Sequence, residues 1–400
     1  MLDRRTLLSF TVLGAVPWPA RAQKQYGPGV TDGEIRIGST MPFSGPVSML
    51  GTLGRAAAAY FAKINAEGGI NGRKITLIQY DDGYTPTKAF EQTRKLVEQD
   101  EVLLIYETVG TATNNSIHRY LNGKKVPHLL IFSGASKWAD PVNGPWTLSG
   151  MPSYNVEARI YGRWLLQNMP DAKVAVLLQN DDFGRDYLTG LKSALGDRAK
   201  TMIVAEATYE VTDPAIDSQI IALRASGANA LFSLSNGKFT VQSIRKVHDI
   251  GWKPQMFLPL GSASLTSIIR PAGPEKAVGA ITAAYAKSAA DPQWANDPGI
   301  VALREFTKQW LPGQDPDDSL VAGGYSSAQV LTHILKQCGN NLTRENVMKQ
   351  ALSLRGFSTP TMLPGIVLNT APDDYELFSQ LQLQRFDGKS WVPFGALVSR

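Results

Sequence analysis

Apolar positions along this chain fall into short solid runs that alternate with longer helical stripes. After a Gly/Pro-rich stretch, Ile35, Ile37 and the residues to Met41 make the first strand. A stripe over 50–66 reads as a helix, with small residues at 56–59 for close packing; Gly68-Gly69 and Asn71-Gly72 stop it. A strand follows at 74–80. Thr85-Pro86 opens a helix, because proline suits a first turn, and its positions Ala89, Phe90, Thr93, Leu96 and Val97 are expected to be buried. Next come a strand at 103–106, a polar turn at 109–113, a helix over 114–121 and a strand at 126–132 closed by Ser133-Gly134-Ala135-Ser136.

The pattern then restarts. Ser153 opens a helix expected to bury Val156, Ile160 and Trp164, and strands at 173–179, 202–209, 229–234, 255–260 and 278–285 alternate with helices over 183–195, 214–225 and 239–250. From 298 the chain turns helical (298–310, 319–337, 343–352) and ends in short strands near 366–368, 378–386 and 391–398. Strands apolar on both faces and separated by helices predict an α/β protein with doubly wound parallel sheets. Two units of similar size emerge. The late helices would overfill one face of the second unit, so the chain is expected to return to the first and come back once more at its end.

In such sheets ligands bind outside the carboxyl ends of the strands. The turns at 109–113 and 133–136 are rich in Gly, Ser and Thr, which leave N–H groups and hydroxyls pointing outward, and a helix N-terminus behind them favours an anion. These two turns are expected to hold a small carboxylate.

Composition narrows the class. With 400 residues the chain is long enough for two well-buried cores. The net charge of +5, from 40 basic and 35 acidic residues, is small and scattered, so no nucleic-acid partner is expected. Arg4 and Arg5, a short apolar run over 7–16 and Ala20-Arg21-Ala22 read as a secretory signal cleaved after Ala22, through either the general or the twin-arginine route. The run is too short for a stable membrane anchor. Cys338, the sole cysteine, sits among Leu331, Ile334 and Leu335 and reads as a buried, inert thiol rather than a nucleophile or lipid attachment point. A periplasmic location follows.

Catalytic signatures are missing: there is no nucleophile elbow, phosphate loop, zinc-helix motif or C-x-x-C. The acidic pairs Asp81-Asp82, Asp181-Asp182 and Asp317-Asp318 lack calcium-loop spacing and read as polar turns and caps, so no metal and no cofactor are expected.

Several segments together resemble a known family. They are Ile35-Arg36-Ile37-Gly38 through Ser44-Gly45-Pro46, the run Asn65-Ala66-Glu67-Gly68-Gly69-Ile70-Asn71-Gly72, Tyr80-Asp81-Asp82, and Asp182-Phe183-Gly184. From about Glu34 to Val398 the chain is similar to the leucine/isoleucine/valine-type periplasmic solute-binding proteins of ABC importers. The resemblance implies a type I binding fold: two α/β lobes joined by three crossover strands, with the ligand in the cleft between them. It places lobe 1 at 34–150 plus 286–380 and lobe 2 at 151–285 plus 381–400. It implies a monomer without enzymatic activity that closes about a hinge and serves an ABC permease and its ATPase.

Carried over position by position, the resemblance puts the ligand carboxylate on Gly110, Thr111, Gly134, Ala135 and Ser136, with hydroxyls at Thr111 and Ser136, and turns Tyr154 and Phe183 into the cleft. It also exposes departures. Leu260 stands where amino-acid binders place the acid that pairs with the ligand ammonium; Asn236 and Leu50 replace tyrosines, and Leu320 an aromatic. A buried ammonium without a counter-charge is costly. The expected ligand is therefore a carboxylate with an apolar or aromatic body. A true branched-chain amino acid, a soluble sensory role and a secreted enzyme such as an amidase stay open as alternatives.

Overall fold

The computed structural model describes residues 24–400. The expected export signal, residues 1–22, lies outside the described residues.

The first sheet holds β1 (Glu34–Met41), β2 (Lys74–Asp81), β3 (Ile105–Tyr106), β4 (His128–Ile131) and β5 (Thr147–Ser149), all parallel in the order β2-β1-β3-β4-β5. Helices α1 (Gly51–Ala66), α2 (Pro86–Glu98) and α3 (Thr111–Gly123) connect its first four strands. The chain then enters a second unit through α4 (Tyr154–Asn168). Strands β6 (Val174–Gln179), β7 (Ile203–Tyr209), β8 (Ala230–Leu234), β9 (Gln255–Phe257) and β10 (Ile281–Ala284) form its parallel part, with α5 (Asp182–Leu195), α6 (Asp217–Ala225) and α7 (Lys238–Asp249) among the connecting helices.

After β10 come α8 (Pro298–Trp310), α9 (Ser319–Cys338) and α10 (Arg344–Ala351). These helices belong with the first sheet. Ala56 and Tyr60 of α1 pack with Val321, Ala322 and Tyr325 of α9 in one apolar cluster, and the Tyr60 and Tyr325 rings meet edge to face at 5.3 Å. The chain finally returns to the second sheet as β11 (Gln380–Phe386) and β12 (Trp391–Pro393). β11 arrives from the opposite end, so it runs antiparallel to β10 and extends the sheet to the order β12-β11-β10-β9-β8-β6-β7. The α/β class and the return of the late helices match the sequence pattern; the antiparallel edge is an addition to it.

Some local expectations change. Phe90 is exposed, because the buried stripe of α2 runs through Ala89, Thr93 and Leu96 and leaves it one position off; its ring leans on Tyr120 at 5.6 Å. Residues 366–368 form only isolated bridges, Phe357 to Leu368 and Leu368 to Phe378, in a segment interrupted by Pro364 and by Gly365 at φ +84°. Cys338 is buried, and burial pushes its thiol up to about 12.

Candidate functional site

The carboxyl end of β3 and the start of α3 build one wall of a cleft. Gly110 has φ +94°, and a side chain there would strike the Tyr84 ring at 2.3 Å. As the residue before α3, glycine brings no capping side chain, so the N-terminus of that helix faces the cleft uncapped. Thr111 is buried, and its hydroxyl meets Ser133 Oγ at 2.8 Å; Ser133 also accepts from Trp138 Nε1 at 2.9 Å. Gly134 is required by close approach: a Cβ there would lie 2.1 Å from the Pro152 carbonyl and 2.8 Å from the Tyr154 ring.

The facing wall comes from the second unit. Burial pushes the Tyr154 phenol up to about 12, while hydrogen bonding to Ser133, the Gly134 N–H and Thr111 pulls the other way. The phenol oxygen therefore rests among the donors that the sequence assigned to a ligand carboxylate. The Tyr154 ring stacks on Tyr187 at 4.7 Å and meets Phe183 edge-on at 5.1 Å.

Behind this aromatic group lies Glu157, fully buried. Its carboxylate accepts from the Tyr161 and Tyr187 hydroxyls and, at 2.8 Å, from the Leu260 N–H. Burial pushes Glu157 up to about 7. An acid thus stands near Leu260, but three protein donors consume it. The side-chain oxygen of Asn236 accepts from the Ser262 hydroxyl at 2.8 Å.

Of the residues singled out from the sequence, Leu50, Gly110, Thr111, Tyr154, Phe183 and Asn236 line this cleft, which leaves about 20 Å³ of free space. Leu260 and Leu320 line a larger adjoining recess of about 100 Å³, and Leu50 and Leu320 pack in one apolar cluster with Met41 and Tyr84. Gly134 contacts Tyr154, whereas Ala135 and Ser136 line a separate groove. Ser136 differs from the expectation for a physical reason. Its N–H and hydroxyl both donate to Asp186 of α5, at 2.8 and 2.7 Å, so it ties the two units together rather than offering donors to a ligand. Lys137 beside it pairs with Asp182. Across the molecule, Ser264 and Ser267 donate to Asp318, and Arg270 pairs with Asp315 at 2.8 Å. The two units meet on both flanks, a closed arrangement.

Tyr84, Phe132, Met151, Tyr187 and Ser133 were not singled out from the sequence. Tyr84 reaches the cleft through an unusual φ of +60°, which no pattern announces. Ser133 stood within the noted turn and was distinguishable only by the bond it makes.

No carboxylate or ammonium group lines the cleft among the described residues. Asp181 caps α5 through the N–H groups of Phe183 and Gly184 and accepts from Gln179. Glu206 pairs with Lys192, and Glu210 accepts from Asn180. No cluster of three or more metal-ligating side chains occurs among the described residues. The chemistry on offer is a set of neutral donors at one end and apolar or aromatic surface elsewhere.

A family model described as periplasmic binding protein matches residues 34–387. The leucine-, isoleucine-, valine-, threonine-, and alanine-binding protein of Pseudomonas aeruginosa is 23% identical over 338 residues, 82% of this chain and 84% of that one. Among solved structures, a branched chain amino acid ABC transporter protein from Thermus thermophilus with bound valine superposes with TM-score 0.81 at 16% identity, covering 92% of this chain and 97% of that one. A solute binding protein from R. palustris in complex with benzoate gives TM-score 0.76 at 19% identity, covering 92% and 98%. The structural likenesses show the shared fold.

Proposed function

The chain belongs to the periplasmic binding protein family, of the branched-chain amino acid transport type, and we propose that it captures a small carboxylate with an apolar or aromatic body by closure of its two lobes. On this reading it is exported through its N-terminal signal, cleaved after Ala22, works as a monomer without catalysis, and delivers its solute to an ABC permease and ATPase. Lobe 1 is then 34–150 plus 286–380, and lobe 2 is 151–285 plus 381–400.

One observation carries the ligand class. The cleft joins the uncapped N-terminus of α3 and the Thr111 hydroxyl to a lining without an acid, because Glu157 is saturated by Tyr161, Tyr187 and Leu260. A carboxylate gains charge-assisted bonds in such a place, and an ammonium meets no counter-charge. The relative that binds valine supports an amino-acid ligand; the one that binds benzoate supports the carboxylate reading.

A thermal-shift series separates the two. A ligand at a hundred times its dissociation constant adds about 2.7 kcal/mol of stability. Benzoate and related acids are expected to raise the melting temperature, and leucine and valine to leave it unchanged. Tight binding of leucine with indifference to acids lacking an amine overturns the proposal.

A further inference from the structure

We propose that the recess beyond Phe132 is the second half of the ligand site. It takes the apolar body of an extended carboxylate, and Gln384 meets a hydrogen-bond acceptor carried on that body. The inference rests on the carboxylate reading of the cleft and names the rest of the ligand.

The first argument is continuity and size. Phe132 and Gly261 line both the cleft and the recess, so the two spaces adjoin. The recess holds about 100 Å³ of free space against about 20 Å³ for the cleft. The closed cleft, occupied by the Tyr84 and Tyr154 rings, leaves little room for anything beyond a carboxylate head.

The second argument is chemistry. The walls include Leu260, Leu265, Ala284 and Leu320. The two charged groups that reach the recess are already paired: Lys287 with Asp297 at 2.7 Å and Asp317 with Arg304 at 3.2 Å. An uncharged, apolar group fits such a lining, and a second charge does not.

The third argument is an unmet donor. Gln384 is 3% exposed and lines the recess, and its Nε2 has no hydrogen-bond partner among the described residues. Buried polar groups are almost always paired. Thr282, its register partner on β10, gives its hydroxyl to the Leu258 carbonyl at 3.0 Å. The two-residue alternation of a strand places Ala284 on the same face as Thr282 and Gln384. An acceptor oxygen on the ligand body, such as an ether or a ketone, satisfies that amide.

Titration calorimetry on the full chain tests this with benzoate, phenylbutyrate and the para-methoxy analogue of phenylbutyrate. Affinity is expected to rise about fourfold per added methylene as the body enters the recess. Ala284→Phe, which fills it, is expected to erase that gain and to weaken benzoate less than phenylbutyrate; Ala286→Leu, a smaller intrusion, replaces it if that variant fails to fold. Gln384→Leu is expected to weaken the methoxy analogue about tenfold and spare phenylbutyrate. Thr111→Val is expected to weaken all three acids alike. Benzoate binding with no gain from longer bodies, or a gain that survives both filling variants, shows a solvent-filled vestibule only and overturns the inference. Failure of the wild type to bind any of the three acids overturns the cleft reading itself.

Discussion

Two walls face each other across the cleft, and each holds a strongly polar group in a low-dielectric setting. On the first-sheet wall, Gly110 and Thr111 present the uncapped start of α3, and the polar groups there, the Thr111 and Ser133 hydroxyls and the neutral phenol of Tyr154, carry no charge. On the opposite wall, Glu157 is enclosed by three donors of its own protein. The first wall keeps its hydrogen-bonding capacity for something else; the second has used its capacity internally. A buried charge must be satisfied by the protein or by the ligand. The contrast between the walls is what supports the proposed ligand, one that brings an anion and no cation.

The largest expected effect breaks the saturated wall. Glu157→Ala leaves the Tyr187 hydroxyl and the Leu260 N–H without an acceptor, while Tyr161 keeps a second one at the Leu258 carbonyl. Stranding two buried donors, with the cavity left behind, is expected to cost about 3–5 kcal/mol in urea unfolding. Glu157→Gln is expected to cost less than half of that. A loss below about 1 kcal/mol for the alanine variant means that Glu157 does not organise this wall.

A second glutamate sharpens the comparison through pH. Glu107, 1% exposed, lies behind the first-sheet wall and leaves Oε2 without a partner. Burial pushes it up to about 8 from 4.5, and the hydroxyls of Ser327 and Tyr106 pull it only partly back. The Tyr285 phenol also faces it, and no cation contributes. In the folded state the carboxyl keeps its proton where the unfolded chain has released it. Stability therefore falls as pH rises from about 4.5 to about 8, then levels off. Glu107→Gln removes this dependence. Its stability relative to wild type is expected to climb over that interval, by a few kcal/mol in total. A difference between the two proteins that stays flat with pH refutes the assignment.

How far these features are legible in the sequence depends on their range. Strand runs, helix stripes and glycine stops are local, and the positions of α1, α8 and α9 follow from them. The Asp81-Asp82, Asp181-Asp182 and Asp317-Asp318 pairs read as turns and caps, and Asp181 and Asp318 do cap α5 and α9. What the pattern does not carry is pairing across the chain. Nothing near Ser136 announces Asp186, and nothing near Leu260 announces Glu157, 103 residues away. Phe132 reads as a strand residue, and only the packed structure makes it the partition between cleft and recess.

Leu260→Glu tests the apolar side of the contrast with a smaller effect. The new acid stands on the recess wall near Glu157, opposite the apolar body of the ligand and within long-range repulsion of its anion. Affinity for simple carboxylates is expected to fall at least tenfold, about 1.4 kcal/mol, in calorimetry. Leucine binding gained by this variant and absent from the wild type supports the missing counter-charge; unchanged carboxylate affinity argues against it.

The smallest effect concerns what holds the walls together. Ser136 and Lys137, on the first unit, engage Asp186 and Asp182 of α5. The Lys137–Asp182 pair is half exposed, and such pairs contribute about 0–1 kcal/mol. Ser136→Ala removes the hydroxyl bond and leaves the N–H bond in place. These contacts exist only when the units are together, so weakening them shifts the open–closed balance by no more than the contacts contribute. Ser136→Ala is expected to lower ligand affinity by at most about fivefold, to leave the unfolding midpoint almost unchanged, and to enlarge the ligand-free protein in small-angle scattering. A variant as compact as wild type, with weaker binding, places Ser136 in direct contact with the ligand and ends its reading as a latch.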